Sequence, residues 1–252
     1  MIDLHTHILP NTDDGSKSTR QSLNMLREAK NAGFNIICCT PHYLEQKCLK
    51  TRKENIPTIR KLREDALKNN IDVKIVLGNE IYINEGILEE IEEKKVSCIG
   101  KSNYLLMELP MKQELKYLDE IFLRIIEKGY RIVIAHPERY TYVQKDPNYL
   151  VDFIKMGIYF QGNYGSVIGR YGKTAEKTIR TLLKNNLIHI LSTDAHTDNS
   201  MYLKMDEINK KILKIIDEEY LNLLSSLNPK LLLKNENLLV PKPKIKKDKF
   251  FK

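Results

Sequence analysis

The chain opens on a histidine pair, His5-Thr-His7, and further acids and imidazoles recur at the ends of later short apolar runs. His42, Glu80, Glu108, His136 and the pair Asp194-Ala-His196 each follow such a run, and five of the six histidines belong to this set. Short apolar runs read as β-strands. Polar side chains at the ends of several strands, far apart in sequence, are how a β/α barrel builds a site at its C-terminal mouth. Imidazole and carboxylate without sulfur make a ligand set suited to divalent metals. The pattern therefore points to a metal-dependent hydrolase on an α/β barrel.

Length and charge agree with one barrel. At 252 residues with 42% hydrophobic content, the chain can bury a large core as a single unit. The formal net charge is +8, but eight lysines against Glu236 and Asp248 put +6 of it in residues 228–252. The remaining body carries about +2, which argues against a nucleic-acid surface. We therefore expect one catalytic domain over 1–230 and a basic extension and tail over 231–252. Cys38, Cys39, Cys48 and Cys98 have no metal or redox spacing, and Cys38 and Cys39 read as buried thiols in a strand. The sequence runs straight into a strand, so no signal peptide is expected, and no apolar run is long enough to span a bilayer. The expected compartment is the cytoplasm.

Strand and helix patterns alternate along the chain. Strands are expected at Ile2–His5, Asn35–Thr40, Val73–Leu77, Tyr104–Glu108, Arg131–Ala135, Ile158–Gln161 and Leu187–Ser192. Helices are expected between them, including Thr51–Asn70 with Pro57 inside it, Glu114–Lys128, Lys173–Asn185 and one long helix over Tyr202–Leu224. Ser18-Thr-Arg-Gln21 has capping-box spacing. Seven parallel strands with right-handed crossovers would close into a barrel.

Residues two apart on a strand point the same way, so His5 and His7 would aim together into the mouth, as would Asp194 and His196. Asp14 lies in a loop placed to fold back over it. Glu80 can bridge two ions through its two oxygens. Four carboxylates (Asp14, Glu80, Glu108, Asp194) with five imidazoles can hold two or three divalent ions, which clamp a phosphoryl group and generate hydroxide near neutral pH. Arg139, three residues past His136, can fork onto phosphate oxygens; the lesser alternative is a pair with Glu138 or Asp146. Gln161, Asn163 and Ser166 can donate to a substrate or serve as turn residues. His189, inside a strand, reads as a core or wall histidine. Arg139, Asp194 and His196 are the candidates for catalytic roles.

These motifs together resemble a known group. Met1-Ile-Asp-Leu-His-Thr-His7, Asp13-Asp-Gly15, Thr40-Pro-His42, Gly78-Asn-Glu-Ile-Tyr82, His136-Pro-Glu-Arg-Tyr140 and Ser192-Thr-Asp-Ala-His196 resemble the polymerase-and-histidinol-phosphatase (PHP) superfamily. More narrowly they resemble its Gram-positive protein-tyrosine phosphatases from capsule and exopolysaccharide loci. The resemblance spans residues 1–230. It implies a distorted seven-stranded barrel, a three-metal site usually taken to use manganese (iron or zinc also suit the ligands), and hydrolysis of phosphotyrosine on a partner tyrosine kinase. It assigns His5, His7, Glu80 and Asp194 to one metal; Glu80, Glu108 and His136 to a second; Asp14, His42 and His196 to a third; and Arg139 to phosphate.

Two departures bear on substrate handling. Relatives often carry basic residues directly after the His42 position, where this chain has Tyr43-Leu-Glu-Gln46. They also often carry an arginine several residues past the Asp-x-His pair, where Thr197–Met205 offers only Lys204. Competing readings are a small-molecule phosphatase of the histidinol-phosphate type, a PHP nuclease, and a metal-free scaffold using the basic tail. That tail, Pro241–Lys252, also suggests weak contact with an anionic membrane surface.

Overall fold

In the computed structural model, residues 1–44 and 50–244 are described. Cys48, Glu45, Gln46 and the tail beyond Lys244 lie outside the described residues, and with them most of the expected membrane contact. Among the described residues nine strands occur: β1 (Ile2–Thr6), β2 (Ile36–Cys39), β3 (His42–Tyr43), β4 (Lys74–Leu77), β5 (Glu80–Tyr82), β6 (Tyr104–Glu108), β7 (Arg131–Ala135), β8 (Tyr159–Asn163) and β9 (Ile190–Ser192). They occupy seven positions, because β3 continues the line of β2 and β5 that of β4. The lower halves pair as β1-β2-β4 and the upper chain as β3-β5-β6-β7-β8-β9, all parallel. The circuit returns to β1 through a Thr6–Ala195 bridge, with Asp194 N–H donating to His5 O and His7 N–H to Ala195 O, both 2.9 Å. The result is a distorted seven-position α/β barrel.

Two departures from expectation have local causes. The breaks after Cys39 and Leu77 fall at Thr40-Pro41 and Gly78-Asn79, where the ladder shifts partners. The expected single helix over Tyr202–Leu224 is instead a 3-10 turn at Tyr202–Lys204, helix Met205–Ile212 and helix Glu218–Asn222. Asp217 starts the last of these by accepting from Tyr220 N–H at 2.8 Å, so the chain re-enters helix rather than continuing it. Pro57 sits inside helix Arg52–Lys68. Ser18 caps helix Thr19–Asn31, accepting from Gln21 N–H, but the Gln21 side chain takes Lys17 N–H (2.8 Å), so only half of the expected capping box forms.

The barrel interior holds Ile2, Leu4, Cys38, Val76, Tyr104, Leu106, Val133, Tyr159 and Ile190, with Leu232 and Leu238 in the same cluster. The larger core lies between the strands and the helices around them. Helix Asn228–Leu233 runs across the expected boundary at 230, and Leu232 is buried. Among the described residues, no helix is long and apolar enough to cross a membrane.

Candidate metal and phosphate site

The side-chain alternation of the strands builds the site. Interior columns run Cys38–Thr40–His42, Val76–Gly78–Glu80, Tyr104–Leu106–Glu108, Tyr159–Gln161–Asn163 and Ile190–Ser192–Asp194, each apolar below and polar at the mouth. Two columns break the period. Ile2 and Leu4 face inward, so a regular β1 would turn His5 away. The pairing of β1 with β2 shifts register between Asp3 and Thr6, which re-aims the strand. After β7, His136 takes a left-handed backbone (φ 34°), and so does Asp194 (φ 54°). Such conformations cost non-glycine residues free energy and cluster at functional sites.

The nine expected ligands converge. His7, Asp14, His42 and His196 present ligand atoms within 4.8 Å of one another; so do His5, His7 and Glu80, and His42, Glu80 and Glu108. His136 Nε2 lies 2.9 Å from Glu80 Oε1 and 3.6 Å from Glu108 Oε1. Asp194 Oδ1 is 3.5 Å from His5 Nε2 and 3.3 Å from His7 Nε2. Glu80 is central: its Oε2 meets His5, His7 and His42 nitrogens at 3.2, 3.3 and 2.9 Å. Asp14, on its loop, is the most exposed, with Oδ1 3.5 Å from His42 Nε2 and 3.4 Å from His196 Nε2.

The donor set calls for cations. His5 Nδ1–H donates to Gln161 Oε1 (2.8 Å) and His7 Nδ1–H to Asp13 Oδ2 (2.7 Å). In its neutral form each ring then keeps a lone pair on Nε2, and those two nitrogens lie 3.2 Å apart. Ring nitrogens that close call for a cation between or beside them, a proton or a metal ion. Glu80 Oε2 is buried without a hydrogen-bond donor. Burial, followed by the charge of Glu80, pushes Glu108 up to about 8. Burial disfavours protonated His5, but the carboxylates of Glu80 and Asp194 outweigh it and raise it to about 9. These residues fit divalent metal ions, whose charge relieves each of these conflicts.

Around this cluster the chain spends its polar groups on orientation. Asp13 also accepts from His42 N–H (2.9 Å) and Gly15 N–H (2.9 Å). Gly15 is required here: a Cβ would lie 2.1 Å from His7 O. Buried Asp3 accepts from the N–H of Thr193 (3.0 Å) and the hydroxyls of Thr193 and Tyr202, tying β1 to the loop that carries Asp194. Gln161 and Asn163 are buried; Gln161 Nε2–H donates to Asn163 Oδ1 and Asn163 Nδ2–H to Asp194 Oδ2, both 2.8 Å. Their amides are committed to ligand residues.

The His136-Pro-Glu-Arg-Tyr140 segment divides its labour. Glu138 turns inward, accepting from Asn163 N–H and the Ser166 hydroxyl, and burial raises it to about 7. Tyr140 is buried and donates to Ala135 O (2.8 Å). Arg139 joins His136 at the mouth, 3.4 Å from Asp194 Oδ2, with its guanidinium carbon 4.6 Å from the Tyr171 ring centre. Tyr171 O–H in turn donates to Asp194 Oδ2 at 3.2 Å. His189 stands apart from the ligands; its Nδ1 accepts from Phe160 N–H.

Asp13, Asp3 and Tyr171 were not among the expected site residues. Asp13 had one signal, its place beside Asp14 before a glycine. Tyr171 had none, since only the folded chain brings it under Arg139.

The comparisons with known proteins agree with this geometry. Residues 1–234 match the family model for capsular polysaccharide synthesis, CpsB/CapC. CapC of Staphylococcus aureus is 32% identical, over 100% of this chain and 99% of its own. The tyrosine-protein phosphatase YwqE of Bacillus subtilis (strain 168) is 29% identical, over 100% of this chain and 99% of its own. A solved chain from the work on the metal-dependent tyrosine phosphatases YwqE of Bacillus subtilis and CpsB of Streptococcus pneumoniae superposes with a TM-score of 0.88 at 28% identity, covering 98% of this chain and 100% of that one. This chain belongs to the CpsB/CapC family of capsular polysaccharide synthesis proteins.

Proposed function

We propose that the protein is a metal-dependent tyrosine phosphatase that removes phosphate from phosphotyrosine on a partner protein, with a cytoplasmic tyrosine kinase of capsule or exopolysaccharide synthesis as that partner. The observation that carries the reading is the convergence of the His5, His7 and His42 ring nitrogens on the buried Glu80 carboxylate, with His5 and His7 Nε2 only 3.2 Å apart. The names of the relatives, tyrosine-protein phosphatase YwqE and the metal-dependent YwqE and CpsB, support the substrate.

His5, His7, Glu80 and Asp194 would hold one ion, Glu80, Glu108 and His136 a second, and Asp14, His42 and His196 a third. Manganese is the proposed metal, with iron and zinc also suited to these ligands. Bound there, divalent ions supply Lewis acidity toward phosphate oxygens and activate water. The chain does the rest. Arg139 binds the phosphate, its plane held by Tyr171 and its charge by Asp194. Gln161 and Asp13 fix the ring nitrogens of His5 and His7 that face the cluster. Gln161 and Asn163 thereby serve the substrate through the residues they hold.

No cysteine has an arginine six positions on, so the chain lacks the thiolate loop of cysteine-dependent tyrosine phosphatases. A phenolate leaves more readily than an alkoxide, because its conjugate acid has a pKa of about 10. Thr197–Met205 contains no arginine to assist an alkoxide. Manganese-loaded protein should therefore hydrolyse phosphotyrosine peptides well ahead of matched phosphoserine peptides, and a chelator should stop it. Equal rates on the two peptides, or activity indifferent to chelation, would contradict the reading.

A further inference from the structure

Away from the mouth, the barrel parts along one flank. β4 pairs with β2 alone and ends its sheet, while the strands from β5 onward belong to the other. A groove of about 1010 Å³ lies at this parting, between helix Arg52–Lys68 and the segment 94–103 that leads into β6. Arg52, Arg60, Arg63, Lys74, Lys94 and Lys101 line it, all exposed. Among the described residues no carboxylate lines the groove, and none of these six cations forms an ion pair. The body as a whole is close to charge balance, so this is a local concentration. Half-buried Ile56, Val73, Leu77 and Tyr130 give the groove an apolar floor.

Its shape argues for an extended ligand. Arg52 N–H donates to Lys95 O (2.7 Å) at the end that follows the His42 strand and the mouth. Arg63 Nε–H donates to Ile75 O (2.9 Å) toward the other end. At about 1.5 Å per helical residue the two arginines are roughly 16 Å apart along the helix. A lone phosphate needs donors that converge on a point, whereas these cations are strung along both walls. A bilayer surface is flat and does not enter a groove. On the β4 edge Ile75 O is already taken by Arg63 Nε–H and Leu77 O by Gly100 N–H (2.7 Å), so recognition would come from the cations along the walls and the apolar side chains on the floor between them.

We propose that this groove docks an extended, acidic segment of the protein substrate next to its phosphotyrosine. The inference rests on the phosphatase reading for its substrate, and assigns to the groove the selection of which phosphotyrosines are served.

The test compares wild type with the triple variant Arg60→Glu, Lys74→Glu, Lys101→Glu, which spares Arg63 because that side chain braces Ile75 O. Substrates are a phosphotyrosine peptide flanked by glutamates, its glutamine counterpart, and p-nitrophenyl phosphate. In wild type, KM for the glutamate peptide should be about tenfold below that for the glutamine peptide, the sum of several modest ion pairs. The triple variant should abolish that preference and keep wild-type kcat/KM on p-nitrophenyl phosphate, which also reports that it has folded. The proposal is overturned if wild type does not distinguish the peptides, or if the variant still does. It is also overturned if the variant loses binding to anionic vesicles while peptide KM values stay put. Anisotropy of the labelled, unphosphorylated glutamate peptide measures docking directly. Binding that the triple variant loses supports the groove even if no phosphate ester is hydrolysed, and that second outcome would count against the phosphatase reading alone.

Discussion

Asp13 accepts the Nδ1 proton of His7 at 2.7 Å, which turns the opposite ring nitrogen toward the Glu80 carboxylate. Burial opposes the charge on Asp13, but protonated His7 beside it outweighs burial and holds the carboxyl well below its ordinary value. A carboxylate behind a ligating imidazole fixes its tautomer and raises its basicity. Asp13→Asn should therefore weaken metal binding by about 10–100-fold without unfolding the protein. Titration against a competing chelator measures this, and an unchanged affinity would remove Asp13 from the site.

Glu80 and His189 are both buried, yet only Glu80 lies among the converging ligand atoms. Glu80→Ala should lower the metal content of purified protein and nearly abolish turnover. His189→Asn should leave both intact. Elemental analysis decides, and comparable metal loss in the two variants would break the ligand assignment.

Tyr171 meets Arg139 through its ring and Asp194 through its hydroxyl. Tyr171→Phe keeps the ring and should leave KM for a phosphotyrosine peptide nearly unchanged. Tyr171→Ala frees the guanidinium and should raise KM several-fold, consistent with about 1 kcal/mol for a partly exposed cation–π contact. Similar KM values in the two variants would mean that the ring does not hold Arg139.

The thiols should be inert. Burial raises Cys39 to about 12 and Cys98 to about 11, and lifts buried Cys38 well above its ordinary value. At pH 8 these three remain protonated and poor nucleophiles. Treatment with iodoacetamide should spare activity that a chelator abolishes. The reverse pattern would revive a thiolate mechanism.

His189 gives a pH signature. Burial lowers it from 6.5 to about 3 in the folded protein. Protons then bind the unfolded chain first as pH falls. The stability tied to neutral His189 is complete above pH 6.5, and drains between 6.5 and 3 at about 1.4 kcal/mol per pH unit. Urea midpoints at pH 7.5 and 5 should show wild type losing about 2 kcal/mol more than His189→Asn over that interval. Parallel losses would place the proton elsewhere.

Much of this was legible because strand alternation is a strict period. Once the apolar runs are placed, His42, Glu80, Glu108 and Asp194 fall at the top of inward columns by counting in twos. His5 and His136 were found by their residue type, but their aim depends on a register shift and a left-handed backbone that no local pattern announces. The short strands β3 and β5 escaped notice because each holds two or three residues and owes its pairing to a neighbour across the ring. Gln161 and Asn163 look the same in sequence whether they meet a substrate or a ligand residue. The burial of both amides, with their bonds to His5 and Asp194, favours the second role.

The closure of the ring has a last consequence. β1 meets the β9 end through few backbone hydrogen bonds, and those two segments carry His5, His7, Asp194 and His196. Ions shared by these side chains would cross-link residues nearly the whole domain apart in sequence, as a clasp joins the two ends of a bracelet. Loading would then favour the closed chain over the unfolded one in proportion to its binding free energy. The centre would be part of what makes this a barrel, so metal supply in the cell would set the lifetime of the folded protein as well as its turnover.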